Sequence, residues 1–128
     1  MSARVAYGSA DGHHGGVRNP VVEFEQTLTA SLKCRGLPIA ATELHRLWAH
    51  FEAVVETNRA INLTRITDPV EAAVKHYADS LALLLWSRDR SIAVRTVLDV
   101  GTGAGFPAVP LAVMRSEWAV TAIDATRK

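Results

Sequence analysis

VLDVGTGAGFPAVPL, running from Val97 to Leu111, is an apolar run that breaks into three closely spaced glycines and then turns apolar again. Its spacing predicts a strand over roughly Thr96 to Val100, a glycine turn at 101–105 and a short helix beginning near Pro107. A second strand is expected over about Ala119 to Ile123, ending on Asp124. A buried parallel strand that enters glycines and then a helix is a nucleotide-binding design. Glycines let the backbone bend sharply and approach a ligand without a Cβ in the way. The helix start beyond them offers unpaired N–H groups. Asp124 would lie beside the end of the first strand, where its carboxylate can accept hydrogen bonds from both hydroxyls of a ribose. It falls 19 residues after Gly105, close to the interval of about 20 that this geometry gives.

Two ligand classes use such an arrangement, and a tight turn holding no ligand is the third reading. The dinucleotide fingerprint G-x-G-x-x-G would need glycine at position 106, where the chain has Phe106 followed by Pro107. The spacing present is G-x-G-x-G at Gly101, Gly103 and Gly105, preceded by the acid Asp99. That pattern matches the first motif of S-adenosylmethionine-dependent methyltransferases and favours the methyl donor over a dinucleotide. The glycines would make space for the amino-acid part and the ribose, and Asp99 would help to orient the ammonium end.

Upstream the pattern is helical. In PVVEFEQTLTASLKCRG, Val21, Phe24, Leu28 and Leu32 recur at helical spacing from Pro20, and Gly36 is a stop. A second helix is expected from about Thr42, a plausible cap, to about Thr57, with Leu44, Leu47, Trp48, Phe51, Val54 and Val55 as its apolar stripe. Trp48 and Phe51 therefore read as core rather than as a base-stacking pair. The segment DPVE begins a third helix, expected from Pro69 to about Trp86. Asp68 suits its cap, Pro69 its first position, and Glu71 the place of a capping-box acid. Val70, Val74, Tyr77, Leu81 and Leu84 should form its apolar face. His76, Asp79 and Ser80, at i, i+3 and i+4, should project together from another side. The expected divisions are a disordered tail over 1–19, a helical region over 20–95 and the start of an α/β core over 96–128, with no internal repeat.

The totals set limits on function. The chain has 128 residues, 48% hydrophobic and 21% charged, which suits one globular domain. The longest apolar run, Leu81 to Leu85, is far short of the ~20 residues that cross a bilayer, and the N-terminus does not read as a secretory signal. A single cysteine, Cys34, cannot form an internal disulfide and fits a cytoplasmic location without marking a reactive thiol. His13 and His14 lack a third ligand, so no metal site is expected. A net charge of +1 neither demands nor excludes a nucleic acid.

The segment INLTRITDPVEAAVKHYADSLALL, followed by LDVGTGAGFPAVPLA and IDATRK, resembles the glucose-inhibited division protein B family. The matching elements are N-L-T at Asn62 to Thr64, D-P at Asp68 and Pro69, and H-x-x-D-S at His76, Asp79 and Ser80. They continue with D-V-G-T-G-x-G-F-P from Asp99 to Pro107, and with Asp124 followed four residues on by Lys128. The resemblance spans roughly Phe24 to Lys128. It implies N-terminal helices followed by the first β-α-β unit of a Rossmann-like, S-adenosylmethionine-dependent methyltransferase sheet. It also implies methylation of ring nitrogen 7 of a guanine in 16S ribosomal RNA of the small subunit, and a monomeric enzyme is expected. Gly101 and Phe106 would contact the cofactor, Gly103 and Gly105 would shape the turn, and Asp124 would bind the ribose. Asn62, His76, Asp79 and Ser80 would stand near the pocket, with no catalytic acid or base required. Family members are longer, so the chain reads as part of a larger enzyme with little activity of its own. Two alternatives remain. One is a non-catalytic module whose helices dock on RNA or protein through Lys33, Arg35, Arg46, Arg59 and Arg65. The other is a dinucleotide-dependent oxidoreductase.

Overall fold

The Asp68–Pro69 signal starts a helix as its chemistry requires. The Asp68 carboxylate accepts the Glu71 N–H at 2.9 Å, and Pro69 occupies the first helical position, where a missing N–H costs nothing. The computed structural model describes residues 17–125. The tail before Val17, with His13 and His14, and the terminal Lys128 lie outside the described residues. In chain order come α1 (Pro20–Lys33), α2 (Ala41–Asn58), α3 (Pro69–Ala72), a π-helical turn (Ala73–Ala78), α4 (Ala82–Asp89), β1 (Thr96–Val100), α5 (Ala108–Met114) and β2 (Ala119–Ile123). The result is a mixed helix-and-sheet fold in which β1 and β2 pair in parallel, with Thr96 opposite Ala119 and Val100 opposite Ile123.

One core joins the helical part to the strand unit. Phe24, Leu28 and Leu32 of α1 meet Leu47 and Phe51 of α2, Tyr77, Leu81 and Leu84 further on, and Leu111 and Met114 of α5. Phe24 stacks on Phe51 with ring centroids 5.8 Å apart and meets Trp48 edge-on at 5.3 Å, so both α2 aromatics are packing residues. On the sheet, Val97 and Val120 pack towards this core. Leu98 and Val100 on the opposite face are 61% and 71% exposed.

Three local expectations are corrected. The second helix starts at Ala41, so Thr42 lies inside it. The Glu43 carboxylate accepts the Ala40 N–H at 2.8 Å, doing at the helix start what a Thr42 cap was expected to do. Glu71 does not close a capping box; it pairs with Lys75 at 2.8 Å one turn along. The third helix is not continuous from Pro69 to Trp86. It widens to a π turn at Ala73–Ala78 and breaks at Leu81 before α4. Ala72, Ala73 and Ala78 are buried there, small enough to let this segment close on α1, and the rotation leaves Val74 46% exposed instead of inward. Replacing Asp68 by alanine removes the α3 cap and is expected to cost about 1 kcal/mol, read as a lowered urea midpoint with unchanged slope.

Candidate functional site

The turn after β1 is built by backbone bonds that leave its outer side open. The Gly101 and Thr102 N–H groups both donate to the Ile123 carbonyl, at 2.8 and 3.2 Å, which ties the turn to the end of β2. The Gly103 N–H then donates to the Asp124 Oδ2 at 2.7 Å. Gly103 and Gly105 have φ of +57° and +94°, a region that side chains disfavour. A Cβ on Gly101 or Gly103 would meet nothing within 4 Å. One on Gly105 would lie 2.9 Å from Val109 Cγ2 and 3.1 Å from His50 Nε2. Asp99 is buried, and its Oδ2 accepts the Ala108 N–H at 3.2 Å, capping α5 with a strand side chain.

The helical part forms the other wall. The Phe106 ring stacks on the His76 ring, centroids 4.4 Å apart and planes 11° off parallel, and meets Tyr77 and His50 edge-on at 5.1 and 5.2 Å. His76 Nε2 is hydrogen-bonded to Thr64 Oγ1 at 2.9 Å. Ser80 donates to the His76 backbone carbonyl, holding the π turn rather than the imidazole. His50 bridges the two walls, with Nδ1 2.7 Å from the Tyr77 hydroxyl and Nε2 2.8 Å from the Ala104 carbonyl.

Both imidazoles are held neutral. Burial pushes His50 below its ordinary range; the Ala104 hydrogen bond opposes this and the nearby His76 adds to it. Burial also lowers His76, against the pull of Glu71 and Asp79. A folded value below the unfolded one, about 6.5, means that the unfolded chain takes up more protons in that window. The stability tied to the neutral rings is therefore complete above about pH 6.5 and drains away as the pH falls through the lowered folded values. Urea midpoints are expected to drop as the pH is lowered below about 6.5, and His50→Asn should flatten that dependence.

The structure brings Asp99, Gly101, Gly103, Gly105, Phe106 and Asp124 together around the turn, and sets His76 against Phe106. His76, Asp79 and Ser80 line one shallow hollow of about 400 Å³ with Phe106 and Pro107. Asn62 does not join them; it lines a separate hollow with Leu63, Thr64 and Arg65, and Thr64 is the member of its triplet that reaches His76. Asn58, absent from the sequence reading, shapes that loop by accepting the Leu63 and Thr64 N–H groups at 2.7 and 2.9 Å. His50 was also missed. Its signal was a polar residue at core-facing spacing between Leu47, Phe51 and Val54. Lys33, Arg35, Arg46, Arg59 and Arg65 are all exposed, as is Cys34. Among the described residues no helix is long and apolar enough to cross a membrane, and no three of His, Cys, Asp and Glu gather as a metal cluster.

These residues fit a nucleoside cofactor. The turn has open space where Cβ atoms on Gly101 and Gly103 would stand, a carboxylate lies against it, and the buried Thr102 hydroxyl has no partner among the described residues. A small parallel sheet with such a turn defines a mixed helix-and-sheet protein consistent with part of a methyltransferase fold. Residues 43–128 match the family model GidB, rRNA small subunit methyltransferase G, and the chain belongs to that family. A protein of Anaeromyxobacter sp. (strain Fw109-5) named Ribosomal RNA small subunit methyltransferase G is 44% identical over 105 residues, 82% of this chain and 47% of that protein. Proteins of the same name from Leuconostoc citreum and Microcystis aeruginosa are 33% identical over 103 residues and 44% over 82. These alignments cover 80% and 61% of this chain, and 43% and 36% of those proteins. The chain thus spans about half the length, or less, of the curated relatives it matches.

Proposed function

We propose that the whole protein carrying this chain is an S-adenosylmethionine-dependent methyltransferase acting on ring nitrogen 7 of a guanine in 16S ribosomal RNA, in the cytoplasm. The observation that carries the reading is the Asp124 carboxylate held against the glycine turn at Gly103, in a chain of this family. The parallel pair would then be the first unit of a larger Rossmann-like sheet. Phe106, packed on His76 where a dinucleotide fingerprint needs glycine, supports the methyl donor over a dinucleotide.

Bound S-adenosylmethionine supplies an electrophilic methyl group on a sulfonium. Gly101, Gly103 and Asp124 would hold it at the open side of the turn, with Asp124 accepting from ribose hydroxyls. Asp99, through the Ala108 N–H, keeps α5 and the turn in one rigid frame, and its carboxylate would help to orient the ammonium end of a bound donor. Guanine nitrogen 7 has a free lone pair and needs no deprotonation, so the protein's task is to align nucleophile and methyl carbon. His76, neutral and stacked on Phe106, serves as a wall of the pocket rather than as a base.

Incubating the full-length protein with labelled S-adenosylmethionine and small ribosomal subunits, then mapping the labelled base, tests the reading; absence of label in 16S RNA ends it. Asp124→Ala removes a charge-assisted acceptor and is expected to weaken S-adenosylmethionine about 30-fold by calorimetry. Unchanged affinity would remove the ribose role.

A further inference from the structure

His50 lies outside every motif that marks the site, yet it is the side chain by which α2 grips the glycine turn. A carbonyl only accepts, so Nε2 carries the ring proton and donates to Ala104 at 2.8 Å. Nδ1 is then the bare nitrogen, and the Tyr77 hydroxyl donates to it at 2.7 Å. Tyr77 is fully buried, its ring edge-on to Phe24, Phe51 and Phe106, so its hydroxyl has a set direction. The relay runs one way, from Tyr77 through His50 to Ala104.

Its end point sits between the two glycines that shape the turn. On one side Gly103 donates to Asp124; on the other Gly105 leaves room for the imidazole only because it lacks a Cβ. Residues 101–105 offer few side chains to anchor themselves, and three of the five have positive φ. Such a backbone loses much freedom on binding a ligand unless something orders it beforehand.

We propose that His50 is a positioning residue for the methyl-donor turn: oriented by Tyr77, it holds the Ala104 carbonyl so that Gly103 and Asp124 are preset for the donor. This rests on the methyl-donor reading above. His50→Phe keeps a ring and removes both bonds. His50→Gln keeps an N–H donor at similar reach. Tyr77→Phe removes only the orienting hydroxyl.

The test is calorimetric affinity for S-adenosylmethionine and steady-state methylation by the full-length protein, with thermal unfolding of each variant. His50→Phe is expected to weaken the donor about tenfold, the loss appearing in donor KM rather than in kcat. His50→Gln should return to within about threefold of the parent, and Tyr77→Phe should fall between. Equal thermal losses in both His50 variants with parental donor affinity mean a merely structural role and overturn the inference while leaving the methyl-donor reading intact. Should His50→Phe not fold, parental affinity in Tyr77→Phe overturns it just as well. A parent that binds no S-adenosylmethionine overturns both.

Discussion

Phe51→Ala is expected to destabilise the chain by about 4 kcal/mol, lowering its unfolding midpoint by roughly 15 °C. Phe51 has no exposed surface and touches three other rings, those of Phe24, Trp48 and Tyr77. Truncation leaves a cavity that these rings cannot close together, because Tyr77 is tied to His50 and Phe24 belongs to a helix fixed at both ends. The cavity also reaches the site indirectly. Tyr77 orients His50, and His50 holds Ala104, so looser packing beneath Tyr77 should weaken cofactor binding even in molecules that remain folded. Thermal unfolding gives the first number and calorimetry the second. A loss below about 1 kcal/mol would mean that the helical core is not the shared support drawn above.

Gly105→Ala is the second large effect, expected at about 3 kcal/mol with loss of measurable cofactor binding. Two penalties combine. A φ of +94° is strained for any residue with a side chain, and the new methyl would lie 2.9 Å from Val109 Cγ2. Val109 cannot swing away cheaply, since it is β-branched and its N–H is bonded to the Gly105 carbonyl at 2.8 Å. The methyl also approaches His50 Nε2 at 3.1 Å, so relief by turn movement would stretch the bond to Ala104. Gly103→Ala makes the contrast: its Cβ meets nothing within 4 Å, leaving backbone strain alone, and its stability cost should be the smaller one. Urea unfolding of the two variants side by side decides it.

Much of this architecture could be read from local pattern. Apolar spacing located α1 and α2 to within a residue or two, an apolar run entering glycines placed β1, β2 lies over the expected Ala119–Ile123, and Asp68–Pro69 marked the start of α3. Those features depend on neighbours along the chain, where periodicity and capping chemistry act directly. The glycine turn and Asp124 were legible for the same reason, because a strand-turn-helix-strand unit brings a strand end beside a turn by connectivity alone.

The remainder depended on partners distant in sequence. No pattern in residues 69–86 announces that buried alanines facing α1 will widen a turn and send Val74 outward. Nor does the chain around Asp99 show that its carboxylate caps a helix nine residues on. His50 looked like one more polar residue on α2 until the fold set it 54 positions away against Ala104. By itself the sequence determined the two strands, the first two helices and the glycine turn for which we propose a nucleoside, since these follow from short-range chemistry. Only the tertiary structure decided which side chains hold that receiving turn in place, because a hydrogen bond between remote residues exists only once packing has brought both of its ends to one point.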